Sequence, residues 1–400
     1  MKALFLTNEY PPHIYGGAGV HVDYLSRELA KSIEVEVRCF GDQTSLGTNP
    51  AVRGFELDAS GYTCPKPLRS VFGALQRCLD FNTIKIDADV VHCHTWYSHF
   101  GGILAKLNYG LPLVITVHSL EPLRPWKREQ LGGGYDFTLW VEKTALEMAD
   151  AVIAVSNGTK ADVERLFRVD PSRLHVIYNG IDLDEYRPTD RTDALVRHGI
   201  DPTRPYLLFV GRITRQKGIV HLARAIPFMD RDFQIVLCAG APDTPEIAAE
   251  MKAAVTEAQA KRGDIIWLEQ MVDRETVHQL YANAAVFCCP SIYEPFGIIN
   301  LEAMACETAV VASAVGGIKE VGVDGETGFL VPVEQMKERP FEPINPEKFE
   351  RALAARVNEL MRNPELQKRF GRAGRKRAEE KFAWSTIARQ TIKLYSELGV

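Results

Sequence analysis

Two carboxylates, Glu294 and Glu302, dominate the chemistry that this chain can offer. They stand in the run Pro290-Ser291-Ile292-Tyr293-Glu294-Pro295-Phe296-Gly297-Ile298-Ile299-Asn300-Leu301-Glu302. An apolar strand from Ala285 to Cys289 ends at Pro290, and the pattern predicts a helix over 297–306 with Gly297 in its first turn. Glu294 then sits on a strand-to-helix loop. Glu302 lies about two turns into the helix, on a face that can turn back to the same crevice. Between them are backbone N–H groups of a helix N-terminus, which attract phosphate. One carboxylate can grip a sugar and the other a ribose diol, with a diphosphate between them.

A second loop, Gly211-Arg212-Ile213-Thr214-Arg215-Gln216-Lys217-Gly218, closes a strand expected at 206–211. Neutralising the charge of a leaving nucleoside diphosphate lowers the barrier to glycosidic cleavage, and Arg212 and Lys217 can do this without a metal. The bland alternative is a solvated basic loop. Glu9-Tyr10-Pro11-Pro12 with Gly16-Gly17-Ala18-Gly19 follows the first strand. Its spacing is not G-x-G-x-x-G and no Walker lysine follows. At the carboxyl edge of a parallel sheet, however, such glycines let backbone approach a phosphate or sugar closely. His118 ends the strand Leu113–Val117 at the same kind of edge, where a lone histidine is as readily structural as catalytic; His92 and His94 are weaker candidates.

Metal chemistry has little support. In His92-Cys93-His94 the histidines share one strand face and Cys93 points away. Asp87-Ala88-Asp89 and Asp182-Leu183-Asp184 match the D-x-D pattern of metal-dependent transferases, but they occupy capping and turn positions. The basic stretch Lys368–Arg377 has helical spacing and reads most simply as a solvated face.

These loops must be positioned by alternating strands and helices, the signature of parallel α/β units. Strands are expected near 2–7, 34–40, 89–93, 112–117, 151–155 and 174–177, then near 206–211, 233–239, 264–268, 285–289, 308–312 and 328–331. Helices fall between them, including 69–84, 135–149 and 218–229. A polar stretch from Asn179-Gly180 to Pro205 marks the linker, and the expected division is 1–190, 191–383 and a terminal helix 384–400. With 400 residues and 46% apolar content, the chain can bury two cores of ordinary size. A net charge of −5 gives no electrostatic reason to expect nucleic acid or an anionic membrane. No apolar run reaches the roughly 18–20 residues of a membrane helix. Met1–Thr7 reads as a strand rather than a signal peptide, and the scattered cysteines fit reduced thiols in a cytoplasmic protein.

Several segments together resemble bacterial glycogen synthases of the GT-B fold. They are Tyr10-Pro11-Pro12 with Tyr15–Val22, His94-Thr95-Trp96, His118–Lys127, Gln130–Tyr135, Gly211-Arg212 with Gln216-Lys217-Gly218, and Glu294 with Glu302. The resemblance covers nearly the whole chain. It is strongest to the actinobacterial-style subgroup that makes maltose 1-phosphate from ADP-glucose and glucose 1-phosphate. Polymer-extending synthases carry Lys-Thr-Gly-Gly-Leu and His-Asp-Trp where this chain has Tyr15–Gly19 and His94-Thr95-Trp96. Those departures favour the maltose 1-phosphate subgroup.

The resemblance implies two Rossmann-like doubly wound domains facing a cleft, with the last helix crossing back to the N-terminal domain. It implies a retaining α-1,4-glucosyltransferase. The alternatives are an α-glucan-elongating glycogen synthase using ADP- or UDP-glucose, or a sugar-nucleotide epimerase of the same fold. Carried over by residue, His118, Arg212, Lys217 and Glu294 would be catalytic. Gly16, Gly17, Phe296, Gly297, Ile298 and Glu302 would bind the donor, and Glu9, Arg124, Lys127 and Tyr135 the acceptor. No metal or other cofactor is implied, since the nucleotide sugar is a substrate, and the resemblance leaves room for a homodimer. No carboxylate is placed as a nucleophile, so front-face substitution is expected rather than a covalent intermediate.

Overall fold

The short apolar runs become strands buried on both faces, as parallel sheets require. The computed structural model describes residues 1–270, 272–336 and 341–400, which form two units: Met1–Gly180 with Trp384–Val400, and Ile181–Ala383.

The strands of unit 1 are β1 (Lys2–Thr7), β2 (Glu34–Phe40), β3 (Thr44–Ser45), β4 (Ala51–Phe55), β5 (Val90–His94), β6 (Leu113–Val117), β7 (Ala151–Ala154) and β8 (Leu174–Val176). They lie in the order β3-β4-β2-β1-β5-β6-β7-β8, parallel except for β3 on β4. Unit 2 contributes β9 (Tyr206–Arg212), β10 (Gln234–Gly240), β11 (Ile265–Leu268), β12 (Val286–Cys289), β13 (Ala309–Ser313) and β14 (Gly328–Val331), in the order β11-β10-β9-β12-β13-β14. In each sheet the chain runs outward one way from the first strand and then returns to its other side. The resulting switch points, β1/β5 and β9/β12, open crevices at the carboxyl strand ends, where ligands of such sheets bind.

The expected alternation of elements is present, with informative departures. The helix expected over 218–229 stops at Ala225 and passes into a 3₁₀ turn, Ile226–Phe228, because Pro227 lacks the N–H needed to continue. The helix expected from 69 starts at Lys66, with Pro67 in its first turn, where a missing donor costs nothing. β4 carries Gly54 packed on the Gly41 carbonyl, a close approach that weakened its strand signature.

The terminal helix, Trp384–Glu397, belongs to unit 1. The Trp384 indole stacks on Tyr24 at 5.7 Å and 4°, and Gly180 lies flat against it. Tyr395 Oη and His92 Nδ1 are 2.6 Å apart in the core. The division between units falls at 180/181, before the expected 190, because Ile181 N donates to Phe382 O at 2.8 Å and the following residues stay with unit 2.

The basic helix Pro364–Lys381 is more than a solvated face. Arg375 donates to the carbonyls of Leu183, Tyr186 and Ala305, the last ending the Ile298–Ala305 helix, and Arg377 donates to those of Glu320 and Val321. Cations at helix C-termini are stabilising, and here they also satisfy orphaned acceptors.

In unit 2, His221 is clasped by Glu350 at 3.0 Å and Glu342 at 3.2 Å. Burial lowers its pKa, but the two carboxylates more than reverse this and raise it to about 9. A folded-state pKa above the unfolded value of about 6.5 gives stability that is complete below pH 6.5 and is lost as pH rises through 9. His221→Gln should therefore lower the Tm at pH 6 and have progressively less effect toward pH 9.5. Thermal unfolding of both proteins across that range checks it, and a pH-independent difference would reject the charged clasp.

Candidate active site

The candidate residues of unit 2 converge at the β9/β12 switch point. β9 delivers Arg212, and the following loop turns at Gly218, which adopts φ +61 and caps the helix Ile219–Ala225. A Cβ on Gly218 would stand 2.0 Å from the Pro290 carbonyl, so only glycine lets the β9 and β12 loops touch. That contact brings Lys217 to Glu294, with Nζ to Oε2 at 2.7 Å. Ser291 Oγ donates to the same oxygen at 3.2 Å. The Lys217 and Glu294 side chains are 17% and 8% exposed, so solvent screens this pair poorly. Arg212 Nη1 donates to Asp243 Oδ1 at 2.7 Å.

Gly297, with φ +106, is the N-cap of the helix Ile298–Ala305 rather than part of its first turn. Phe296 is buried beneath it, and Ile298 opens the helix. Glu302 is buried within that helix and accepts from Tyr281 Oη at 2.9 Å. Burial raises its pKa to about 7 against the opposing hydroxyls of Tyr281 and Tyr186. The backbone at Glu294 is fixed by the Gly316-Gly317 pair after β13. Gly317 N donates to Glu294 O at 3.0 Å, and a Cβ on Gly316 would meet that oxygen at 2.0 Å.

Unit 1 presents its own cluster at the β1/β5 switch point. Glu9 Oε2 accepts from Tyr15 N and Gly16 N at 2.8 Å each, so this carboxylate shapes the glycine loop. Gly16 is the extended N-cap of the helix Gly17–Leu29. Thr95, a β-branched residue at φ 66, joins β5 to the next helix and donates to Asn8 Oδ1 at 2.8 Å. Such a conformation is strained, and strain of this kind gathers at functional sites. His118 Nε2 and His94 Nδ1 are 3.1 Å apart, and the His21 ring meets His118 edge-on at 4.7 Å.

On the loop after His118, Arg124 contacts Ser119 Oγ and Glu121 Oε1, each at 3.3 Å, and Lys127 Nζ donates to Gln130 Oε1 at 2.8 Å. Tyr135 departs from expectation. It is fully buried and donates its hydroxyl to the Glu121 carbonyl at 2.6 Å, so it props the loop from beneath rather than facing an acceptor. Its helix position pointed it inward once Gly134 packed on Val71 and Leu68.

Sequence reading passed over His21, Asp243, Tyr281, Asn300 and Gly316-Gly317. The glycine pair two residues past an apolar strand was a usable signal. The Asn300 side-chain amide, buried two residues before Glu302, has no partner on either atom among the described residues, an arrangement that invites a ligand.

Two doubly wound units whose switch points carry these groups define a glycosyltransferase of the GT-B type. Residues 15–185 match the family described as Glycosyltransferase Family 4, and residues 190–339 match Glycosyl transferases group 1. The chain is 47% identical, over the whole of both chains, to an alpha-maltose-1-phosphate synthase of Mycolicibacterium smegmatis, and 44% identical, again over both whole chains, to one of Mycobacterium tuberculosis. Among solved structures it is similar to a sucrose-phosphate synthase from Thermosynechococcus elongatus, with TM-score 0.79, 26% identity and coverage of 100% and 99% of the two chains. The chain belongs to the same glycosyltransferase family as these alpha-maltose-1-phosphate synthases.

Proposed function

We propose that the protein is a retaining α-1,4-glucosyltransferase that moves glucose from ADP-glucose to glucose 1-phosphate, giving maltose 1-phosphate for α-glucan synthesis. The observation that carries this is the identity of 47% over the full length of both chains to a relative named for that product. In the reaction the acceptor 4-hydroxyl oxygen bonds to the glucosyl C1 as the bond from C1 to the ADP oxygen breaks. The acceptor proton passes to the departing phosphate, on the face that ADP vacates.

Arg212 and Lys217 hold the diphosphate, Glu294 the sugar hydroxyls and Glu302 the ribose, while the amides from Phe296 to Ile298 reach sugar or phosphate. In unit 1, the backbone carbonyl of His118 lies against the anomeric carbon. Gly16 and Gly17 approach the donor, and Glu9 the acceptor. The two cations replace a metal in offsetting charge that grows on the leaving group, so turnover persists in a chelator.

The test is transfer from ADP- or UDP-glucose to glucose 1-phosphate or to glycogen, with product masses read directly. Turnover only with ADP-glucose and glucose 1-phosphate is expected. Transfer to glycogen alone would make this an elongating synthase, and release of free nucleotide without an acceptor would favour an epimerase.

The acceptor phosphate is assigned to Lys127 and Arg124. Lys127→Ala should raise KM for glucose 1-phosphate roughly tenfold to a hundredfold, the loss of one charge-assisted hydrogen bond, and leave KM for ADP-glucose near its wild-type value. Arg124→Ala should do the same at some cost in stability, because it also breaks the pair with buried Glu121. Equal losses toward both substrates would make the loop structural.

A further inference from the structure

Besides both ring nitrogens of His99, two histidine nitrogens in unit 1, Nε2 of His21 and Nε2 of His94, are buried with no hydrogen-bond partner among the described residues. Both residues stand beside His118, and one ring nitrogen from each of the three lies within 4.8 Å of the other two. His94 Nδ1 and His118 Nε2 are 3.1 Å apart and share a hydrogen bond, whose proton an ion would displace. Two nitrogens bound 2.0–2.1 Å from a tetrahedral ion are themselves about 3.3 Å apart, so the cluster needs small ring rotations rather than backbone movement.

His21 is already oriented as a ligand would be. Asn179 Oδ1, which can only accept, lies 2.6 Å from His21 Nδ1, so that nitrogen carries the proton and Nε2 presents a bare lone pair. A carbonyl that fixes the tautomer of an imidazole from behind is the usual outer support of a metal-bound histidine. Burial keeps the rings neutral: His21 is depressed to about 4, and His94 and His118 are held well below the usual histidine range. Neutral imidazole is the form that binds metal. The three-residue cluster contains no carboxylate, which selects against magnesium and calcium and for zinc, cobalt or nickel.

We propose that His21, His94 and His118 form a site for one divalent cation of the zinc type, with three imidazole ligands and an open fourth position. His118 leaves the site partly exposed, which provides a route of entry. The consequence for activity rests on the function proposed above. An ion on His118 occupies the ground assigned to the donor sugar, so zinc is a reversible inhibitor that a chelator removes, and catalysis itself needs no metal.

The experiment titrates Co²⁺ into chelator-stripped, dialysed full-length protein and follows the visible d–d bands, with Zn²⁺ as competitor. One saturable site per chain is expected. His21→Ala and His94→Ala should abolish it. Asn179→Ala, which keeps all three ligands, should weaken it about 10–100-fold while the metal-free protein keeps its circular dichroism spectrum. Absence of saturable binding, a thiolate-to-cobalt charge-transfer band placing the ion on cysteine, or unchanged affinity in both His21→Ala and Asn179→Ala would overturn the site. Tight binding without inhibition of transfer would leave the site standing and remove the donor sugar from His118.

Discussion

Lys217→Ala is expected to lower kcat roughly a hundredfold or more, the loss seen when one preorganised donor aimed at developing charge is removed. The ammonium lies 2.7 Å from Glu294 in a pair that is largely shielded from water. It therefore sits ready beside the group assigned to the sugar and needs no rearrangement when charge moves onto the diphosphate. Because that charge grows as the bond breaks, the loss should fall on kcat, with KM for ADP-glucose moving far less. The substitution also strands the Glu294 carboxylate in a buried position, which by itself is destabilising. Thermal unfolding of Lys217→Ala measures that second effect on its own, and the loss of kcat should persist at temperatures where the variant is fully folded. A single variant that folds normally and turns over within a few-fold of wild type would remove Lys217 from the chemistry.

Gly218→Ala should cost roughly 2–4 kcal/mol, combining the left-handed backbone penalty with a clash against an immovable carbonyl. The added methyl would meet the Pro290 oxygen at 2.0 Å and push the β9 loop away from the β12 loop. Gly199 is the matched control, since its φ is +74 and a Cβ there meets nothing within 4 Å. Gly199→Ala should show the backbone penalty alone, about 1 kcal/mol. Thermal unfolding of both variants separates the terms, and equal shifts in Tm would mean that the loops have room to part. Activity of Gly218→Ala should fall further than its Tm implies, because Lys217 and Glu294 ride on the two loops being separated.

What the sequence disclosed was local. The strand runs, the Pro290 break and the glycine beside Glu294 are read within a few residues of one another, and they suffice to place the β9/β12 loops and their charges at a sheet edge. What it withheld was contact between distant segments. Nothing near Arg375 announces that the carbonyls of Leu183 and Ala305 await it. His21 lies on an ordinary helix face and acquires its meaning only when Asn179, 158 positions along the chain, turns its ring. Tyr135 was misplaced for the same reason: a tyrosine behind a glycine run looks free to reach a ligand until its hydroxyl is found on the Glu121 carbonyl.

Unit 1 is stitched from both ends of the chain, and this sets synthesis against assembly. Its strands are translated first, yet the face bearing Tyr24 and Gly180 stays uncovered until Trp384 arrives, and Tyr395 reaches His92 later still. Every residue of unit 2 precedes those two, so the half begun first on the ribosome is the half completed last. Throughout that interval the nascent chain carries an apolar seam of the sort that holdase chaperones recognise. A stop codon at Trp384 itself would make the exposure permanent, leaving unit 2 whole and unit 1 open to degradation.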